Sequence, residues 1–283
     1  MSIAPAPPFE LERELARLDP RERAAAAAFL AANPPGQGAP LAIVIPAFNE
    51  EPTVAEVVGE IPTEAGGLGA EVIVVVDGAK DATAAEAARA GALVCDVPVN
   101  RGQGAALKLG YWLARARGAQ IVCTIDADGQ YEPAEIGRVI APILDGRADF
   151  VSGSRRLGTE LTTDRFRHAG VIVYGLLLTV LTRQRITDPA CGLRAMRAEV
   201  TAAVVLQQPQ YQASELQISA ALHGYKLAEV PTTMRDRGRH ATGTKKGGNL
   251  GYGVRFARAA IHTWWRDRRA ARTRLRPANT QCS

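Results

Sequence analysis

Continuous apolar runs alternate with helix-forming stretches from residue 41 onward, and this alternation constrains the fold more than any other feature. Four such runs precede the middle of the chain: residues 41–45, 71–76, 92–99 and 121–126 (LAIVI, EVIVVV, ALVCDVPV and IVCTID). Unbroken apolar runs of this length are typical of strands buried on both faces, as in parallel sheets covered by helices. The sequence therefore predicts an α/β fold whose mostly parallel sheet is flanked by helices.

Polar residues follow these runs at the points where the strands should end. They are Asn49 and Glu50, Asp77, Asn100 and Arg101, and Asp126 and Asp128. Helices are predicted between and after the runs, over residues 51–60, 81–90, 103–117 and 132–144, and a short fifth strand over 149–154. Ligands of such sheets bind at the carboxyl ends of the strands. The sequence thus predicts one binding site along that edge.

The chain divides into three predicted segments. Asp19 followed by Pro20 is typical of a helix start, and Asn33–Pro34–Pro35–Gly36 ends that helix. We predict a helical appendage and linker at 1–40, a main domain at 41–248, and a basic amphipathic helix with a tail at 249–283.

Composition excludes several classes of protein. The 283 residues are 47% hydrophobic with a net charge of +5, as in a globular protein with a substantial core. The N-terminus lacks a signal peptide pattern, and the apolar window 169–182 is shorter than the ~20 residues of a membrane span. Four cysteines without a C-x-x-C pair indicate a reducing compartment and no cysteine-bound metal. We therefore expect a cytoplasmic protein, with peripheral membrane contact left open. Aromatic residues make up only 5%, which disfavours nucleic-acid binding.

Asp126 and Asp128 form an Asp-x-Asp pair directly after a predicted buried strand. Two carboxylates this close repel each other unless a cation neutralises them. Their oxygen ligands suit Mg²⁺ or Mn²⁺, and such an ion usually takes further ligands from water and substrate phosphates. The alternative is a solvated Asp-Gly turn.

Several motifs resemble the family 2 glycosyltransferases of GT-A fold, especially the dolichyl- and polyprenyl-phosphate sugar transferase branch. They are PAFNE (46–50), VDGAKDAT (76–83), NRGQGAAL (100–107), DADGQ (126–130), GSRR (153–156), TDPACGLRAM (187–196) and GYKLAEVP (224–231). The resemblance covers roughly residues 41 to 250. It implies a metal-dependent, inverting transferase that uses a nucleotide-diphosphate sugar, with Mg²⁺ or Mn²⁺ as cofactor.

The resemblance also implies roles for individual residues on the donor side. The donor-nucleotide pocket would comprise Pro46, Ala47, Asn49, Glu50, Asp77, Arg101, Gly102 and Asp126. The metal would be held by Asp126, Asp128, Gln130 and His240, and the diphosphate by Arg237 or Arg239 and Lys245. Val76 and Ala79 stand where the family has an Asp and a Ser, which leaves both UDP- and GDP-sugars open, with UDP favoured.

Two acceptor classes remain open. For a lipid phosphate, the resemblance implies Arg155 with Arg165 or Arg167 as ligands of the acceptor phosphate. For a hydroxyl or amine of a small molecule or carrier protein, Glu215 would be the general base, with Asp188 as the second candidate. A lipid phosphate is already an anion and needs no base. A sugar nucleotidyltransferase is disfavoured because PAFNE stands where that class has a glycine-rich phosphate loop.

The C-terminal helix is predicted over residues 249–272. Its apolar face would comprise Leu250, Val254, Ala257, Ile261 and Trp265, with arginines elsewhere around it. Three partners are open for this face: the domain itself, a bilayer interface, or an acidic protein. A homo-oligomer is also left open.

Overall fold

The structure, a computed structural model, describes residues 10–160, 165–208, 211–235 and 249–274. The helices are α1 Leu11–Ala16, α2 Pro20–Ala32, α3 Val54–Glu60, α4 Thr83–Arg89, α5 Gln103–Arg117, α6 Ile136–Leu144, α7 Arg165–Thr182, α8 Ala198–Ala203, α9 Gln212–Leu222 and α10 Asn249–Arg274. The strands are β1 Leu41–Ala47, β2 Glu64–Ala65, β3 Leu68–Asp77, β4 Leu93–Val97, β5 Ile121–Thr124, β6 Phe150–Glu160, β7 Arg194–Arg197 and β8 Leu227–Met234.

The strands form a mixed sheet in the order β4–β3–β1–β5–β7–β6–β8, with β2 paired antiparallel to the start of β3. β4, β3, β1 and β5 run parallel, and so do β6 and β8. β7 is antiparallel to both of its neighbours, β5 and β6. The predicted α/β fold with a mostly parallel sheet is confirmed.

β1 shows why the sheet is covered on both faces. All seven of its residues are buried. Ala42 and Val44 belong to one hydrophobic cluster, whereas Ile43 and Ile45 belong to another. Because successive side chains of a strand point to opposite faces, a continuous apolar run contributes side chains to the hydrophobic cores on both faces of the sheet. The two helical layers follow from this pattern.

The segment before β1 packs on one of these layers. Asp19 caps α2 by accepting a hydrogen bond from the Arg21 backbone N–H at 3.0 Å. Phe29 and Leu30 join the cluster that contains Leu107 of α5. The predicted helix is therefore present and shares a core with the sheet, while the domain boundary at residue 40 stays a prediction.

The face of α10 differs from the predicted packing face. Val254, Ile261 and Trp265 are 63%, 51% and 51% exposed, whereas Phe256 and Ala260 are buried. Phe256, Ala259 and Ala260 belong to the cluster that joins α10 to α7 and α9. The Phe256 ring lies 4.3 Å from the Tyr174 ring, centroid to centroid. At Val254, Ile261 and Trp265 the predicted apolar face therefore does not cover the domain.

α7 also leaves apolar residues exposed. Ile172, Val173, Leu176 and Val180 are 42%, 62%, 66% and 68% exposed. Leu178, on another side of the helix, is fully buried beside α10. Within the described ranges, no helix has both the length and the hydropathy needed to span a bilayer.

Candidate active site

Asp77 ends β3 and binds the turn that starts α5. Its carboxylate accepts hydrogen bonds from the backbone N–H of Arg101 at 3.0 Å and of Gly102 at 2.7 Å. Gly102 has a φ of 92°, a left-handed conformation that favours glycine. Burial raises the pKa of Asp77, while the two amide donors act in the opposite direction. The ends of β3 and β4 are thereby fixed relative to each other.

The turn after β1 is joined to the turn after β3. The Asn49 side-chain Oδ1 accepts a hydrogen bond from the Lys80 backbone N–H at 2.9 Å, and Glu50 N–H donates to Thr83 Oγ1 at 2.9 Å. Asn49 adopts a φ of 55°, which asparagine tolerates better than most residues. Phe48 beside it is 45% exposed, an uncovered ring at this edge of the sheet.

Two neighbouring elements hold Asp126, which follows β5. The Gln103 Nε2 of α5 donates to Asp126 Oδ1 at 2.8 Å. On the other side, a Cβ added to Gly192 would lie 2.0 Å from Asp126 Oδ2, so only glycine leaves room for this carboxylate. Asp126 is partly exposed and follows β5 at the same edge of the sheet at which Asp77 ends β3, because both strands run parallel to β1.

Asp128 lies two residues further on and is also partly exposed. Its Oδ1 accepts a hydrogen bond from the Gln130 backbone N–H at 3.2 Å. Gln130 is buried, and its carbonyl accepts from the Arg235 N–H at 2.7 Å. The backbone of Gln130 thus ties the Asp-x-Asp turn to the end of β8.

The carboxylates of Asp126 and Asp128 fit a hard divalent ion that takes its remaining ligands from water and phosphate. Among the described residues, no group of three or more His, Cys, Asp and Glu is arranged to hold a metal. The fourth predicted ligand, His240, lies outside the described residues. A metal here would therefore be shared between the protein and its substrate.

Sequence reasoning missed two glutamines and a glycine at this site. Gln212 of α9 donates through Nε2 to Gln103 Oε1 at 2.7 Å, and Gln103 in turn holds Asp126. The two glutamines are 109 residues apart in sequence. Gln103 stands in the quoted NRGQG turn, which was the available signal. Gly192 stands in the TDPACGLRAM motif, which was a signal of the same kind, whereas Gln212 offered none.

The chain was also compared with known proteins. The family model for Glycosyl transferase family 2 matches residues 42–205. A dolichyl-phosphate hexose transferase of Haloferax volcanii is 33% identical over 197 residues, which are 70% of this chain and 83% of that protein. The chain belongs to glycosyltransferase family 2. It is accordingly a hexosyltransferase that takes its sugar from a nucleotide donor.

Further similarities agree with this family. A UDP-N-acetylglucosamine–dolichyl-phosphate N-acetylglucosaminyltransferase of Methanococcus voltae is 28% identical, covering 67% of this chain and 83% of that protein. Glucosyl-3-phosphoglycerate synthase of Mycobacterium tuberculosis, solved with Mn²⁺ and UDP, superposes with a TM-score of 0.59 at 24% identity. That match covers 86% of this chain and 82% of the synthase. The structural match supports the GT-A fold.

On the acceptor side of this glycosyltransferase, Arg155 has an internal partner. Arg155 Nε lies 2.5 Å from Asp188 Oδ2, and Nη2 lies 2.6 Å from Asp188 Oδ1. Both side chains are buried. Burial alone would lower the pKa of Arg155, but Asp188 raises it above its ordinary value. The predicted roles as phosphate ligand and as second base would require this bidentate pair to open.

Glu215 is also occupied at both oxygens. Its Oε2 accepts hydrogen bonds from the backbone N–H groups of Gln207 and Gln208 at 2.8 Å, and Oε1 lies 2.8 Å from Arg266 Nη1. The side chain is 1% exposed. A general base must reach the proton that it removes. The contacts of Glu215 are therefore those of a structural carboxylate, and the predicted role as general base would require them to open.

The remaining predicted residues lie where nothing can be said of their side chains. Arg165 and Arg167 fall in the first turn of α7, and their side chains are not described. Arg237, Arg239 and Lys245 belong to residues 236–248, outside the described ranges. Their roles stay predictions.

Proposed function

We propose that this glycosyltransferase transfers a sugar from a UDP-sugar, in preference to a GDP-sugar, to a polyprenyl phosphate with inversion at the anomeric carbon. The observation that carries the proposal is that Asp77, Asp126 and Asp128 all lie at the carboxyl ends of β3 and β5, which both run parallel to β1. Parallel strands present their ligands at this edge. The acceptor class follows the names of the dolichyl-phosphate transferases to which the chain is similar.

Each donor-side residue has a separate task in this proposal. Asp77, fixed by two backbone amides, receives the nucleoside, and the exposed Phe48 ring offers a surface for stacking. Asp126 and Asp128 would hold Mg²⁺ or Mn²⁺, which supplies positive charge to the leaving diphosphate. Gln103 keeps the Asp126 carboxylate in one orientation.

The acceptor side combines exposed apolar residues with cations. The apolar stripes of α7 (Ile172, Val173, Leu176, Val180) and α10 (Val254, Ile261, Trp265) lie on helices that pack together. The sequence of α7 contains no acid, and that of α10 contains only Asp267, which is buried beside Arg266. Arg269 lies over the Trp265 ring at 3.3 Å from its centroid. An exposed indole beside arginines suits the headgroup region of an anionic membrane, where a polyprenyl phosphate would be found.

A donor and acceptor matrix tests the function. UDP-glucose, UDP-N-acetylglucosamine and GDP-mannose are each incubated with Mn²⁺, Mg²⁺ or EDTA, with and without a short-chain polyprenyl phosphate. We expect nucleoside diphosphate release that needs a UDP-sugar, a divalent ion and the lipid phosphate together. Turnover with a soluble hydroxyl or amine acceptor, and none with the lipid, would establish the rival acceptor class. Release unaffected by EDTA would contradict the metal role.

Flotation with anionic liposomes tests the membrane contact separately. Leu176→Asp places a charge in the stripe of α7, whereas Ala85→Asp adds the same charge to an exposed position of α4. We expect wild type and Ala85→Asp to float with the vesicles and Leu176→Asp to remain in solution. Equal behaviour of the two variants would exclude this helix as a membrane contact.

A further inference from the structure

A small polar pocket lies between the N-terminal helix α2, the first turns of α5 and residues 206–208. Its volume is about 150 Å³, and it is lined by Glu22, Arg101, Gly104, Ala105, Lys108, Leu206, Gln207 and Gln208. This is less than the roughly 300–1,000 Å³ of sites for drug-sized ligands. The pocket has room for a small metabolite only.

Glu22 places a buried carboxylate in the wall of the pocket. It is only 2% exposed, although a glutamate is seldom buried so fully. Its Oε1 lies 2.5 Å from Arg101 Nη1, but this pair is too poorly aligned for a hydrogen bond. Among the described residues, neither Glu22 Oε2 nor Arg101 Nη1 has a hydrogen-bond partner. The buried Glu22 Oε2 without a hydrogen-bond partner lowers stability until an occupant donates to it, whereas Arg101 Nη1 keeps its ion pair with Glu22.

The charge around the pocket favours an anion. Among the lining residues, Arg101 offsets Glu22 and the exposed Lys108 adds one further positive charge at the rim, while Asp19, outside the lining, lies 3.8 Å from Arg101 Nη1. Gly104 and Ala105, in the first turn of α5, bring the positive end of that helix to the same wall. An occupant with one anionic group and one hydroxyl group would meet both the cations and the free oxygen of Glu22.

The opposite wall is held in place by its own contacts. Glu215 accepts the backbone N–H groups of Gln207 and Gln208, and Arg266 donates to the Val205 carbonyl at 3.0 Å. The pocket is therefore bounded by fixed backbone and is not a gap between loose side chains. It lies beside the donor site, because the backbone of Arg101 binds Asp77 from the same turn.

We propose that this pocket binds a small hydroxylated phosphate monoester, with Lys108 and Arg101 on the phosphate and Glu22 on the hydroxyl. The site is distinct from the donor acids and does not depend on the function proposed above. Because α2 supplies Glu22, the N-terminal helices take part in ligand binding. An occupant would also fix the Arg101 turn that supports Asp77.

Isothermal titration calorimetry without any nucleotide sugar tests the site. Glycerol 3-phosphate is the probe, and inorganic phosphate and glycerol are separate arms. We expect glycerol 3-phosphate to bind wild type more tightly than inorganic phosphate, with Lys108→Gln weakening both by tenfold or more. Glu22→Gln should weaken glycerol 3-phosphate alone, because it alters the acceptor for the hydroxyl.

Lys226→Gln, which removes an exposed lysine away from the pocket, is the matched control and should bind both probes like wild type. Equal affinities of Lys108→Gln and Lys226→Gln would overturn the proposal, since binding at another phosphate site would not depend on Lys108. Absence of binding to wild type would overturn it as well. If Glu22→Gln fails to fold, the exposed Lys108 still decides the outcome.

Discussion

The predicted site carboxylates have different partners in the two halves of the sheet. In the donor half, β4–β3–β1–β5, amide groups orient the carboxylates of Asp77 and Asp126 at the strand ends. In the acceptor half, β7–β6–β8 with α9 and α10, arginines neutralise the buried carboxylates of Asp188 and Glu215. The first set lies at the carboxyl edge of the sheet, where Asp126 is partly exposed and Asp77 is buried, whereas the second holds elements together inside.

This difference shows that the role of a carboxylate in a motif depends on its partner in the folded protein. A neutral amide orients a carboxylate without cancelling its charge, so the group can still bind a cation. A bidentate arginine uses both oxygens and cancels the charge. Breaking such a buried pair costs stability, because the remaining charge is left without a partner. The two halves should therefore respond differently to substitution: the donor half in turnover, the acceptor half in stability.

Asp128→Ala should have the largest effect and should affect turnover alone. We expect metal-dependent transfer to fall by about 10³-fold, since loss of an electrostatic stabiliser commonly costs 10²–10³ or more, while thermal unfolding is unchanged. Asp145→Ala, which removes an exposed acid at the end of α6, is the control. An Asp128→Ala protein that is folded and fully active would remove the metal assignment.

Arg155→Ala should lower stability most in the acceptor half. Asp188 would be left buried without its partner, at a cost of about 3–5 kcal/mol. Urea denaturation measures the change. The double variant Arg155→Met with Asp188→Leu should cost less than Arg155→Ala, because it leaves no charge behind. Unchanged stability with weaker acceptor binding would show instead that Arg155 is a phosphate ligand.

Glu215→Gln separates a structural carboxylate from a general base. We expect a loss of about 1–3 kcal/mol, since a charged hydrogen-bond partner is removed from a buried site. Arg266→Gln should give a similar loss, because it removes the other half of the pair. A general base would behave differently: Glu215→Gln would abolish transfer at unchanged stability, and Arg266→Gln would not reproduce that effect.

Gln103→Ala tests the orientation of Asp126. Removing a group that orients a metal ligand typically costs 10–100-fold in metal affinity or activity, and we expect an effect near 10-fold. The concentration of Mn²⁺ at half-maximal turnover reports it. Gln120→Ala, at the opposite end of β5 from Asp126, is the matched control. An unchanged Mn²⁺ requirement would mean that Asp126 does not need this amide.

The smallest effect concerns pH. Burial raises the pKa of Asp77 above its ordinary value of 3.8. Because the folded protein holds this proton more tightly than the unfolded chain, the free energy of unfolding of wild type falls as the pH rises from 3.8 through the raised pKa. Asp77→Asn lacks this titration, so its free energy of unfolding relative to wild type should increase as the pH rises from below 3.8 through the raised pKa of Asp77. Urea denaturation of both proteins at several pH values measures this difference, and a difference that does not change with pH would contradict the raised pKa of Asp77.

Elements whose signals are local could be predicted from the sequence. β1, β3 and β5 follow from unbroken apolar runs, and α5 has the predicted bounds 103–117, with Gly102 before it and Gly118 after it. The helix start at Pro20 follows from the Asp19 cap. The two aspartates after β5 were found for the same reason, because the polarity changes abruptly where the strand ends.

Short strands and partner choices could not be predicted in this way. β7 has four residues, RAMR, too few for a readable pattern. The apolar stripe of α10 was visible, but its pattern could not show that Phe256 and small alanines on another side would give closer packing.

The α/β fold and the edge of the sheet where the acids lie follow from the amino-acid sequence, because local polarity and strand direction are sufficient to predict both. Tertiary contacts determine which acids lie at that edge and which are neutralised inside. Asp188 lies 33 residues from Arg155 and Glu215 lies 51 residues from Arg266. Such pairs depend on how distant elements pack. The identity of a carboxylate residue therefore does not predict whether its partner will be an amide, an arginine or a metal ion.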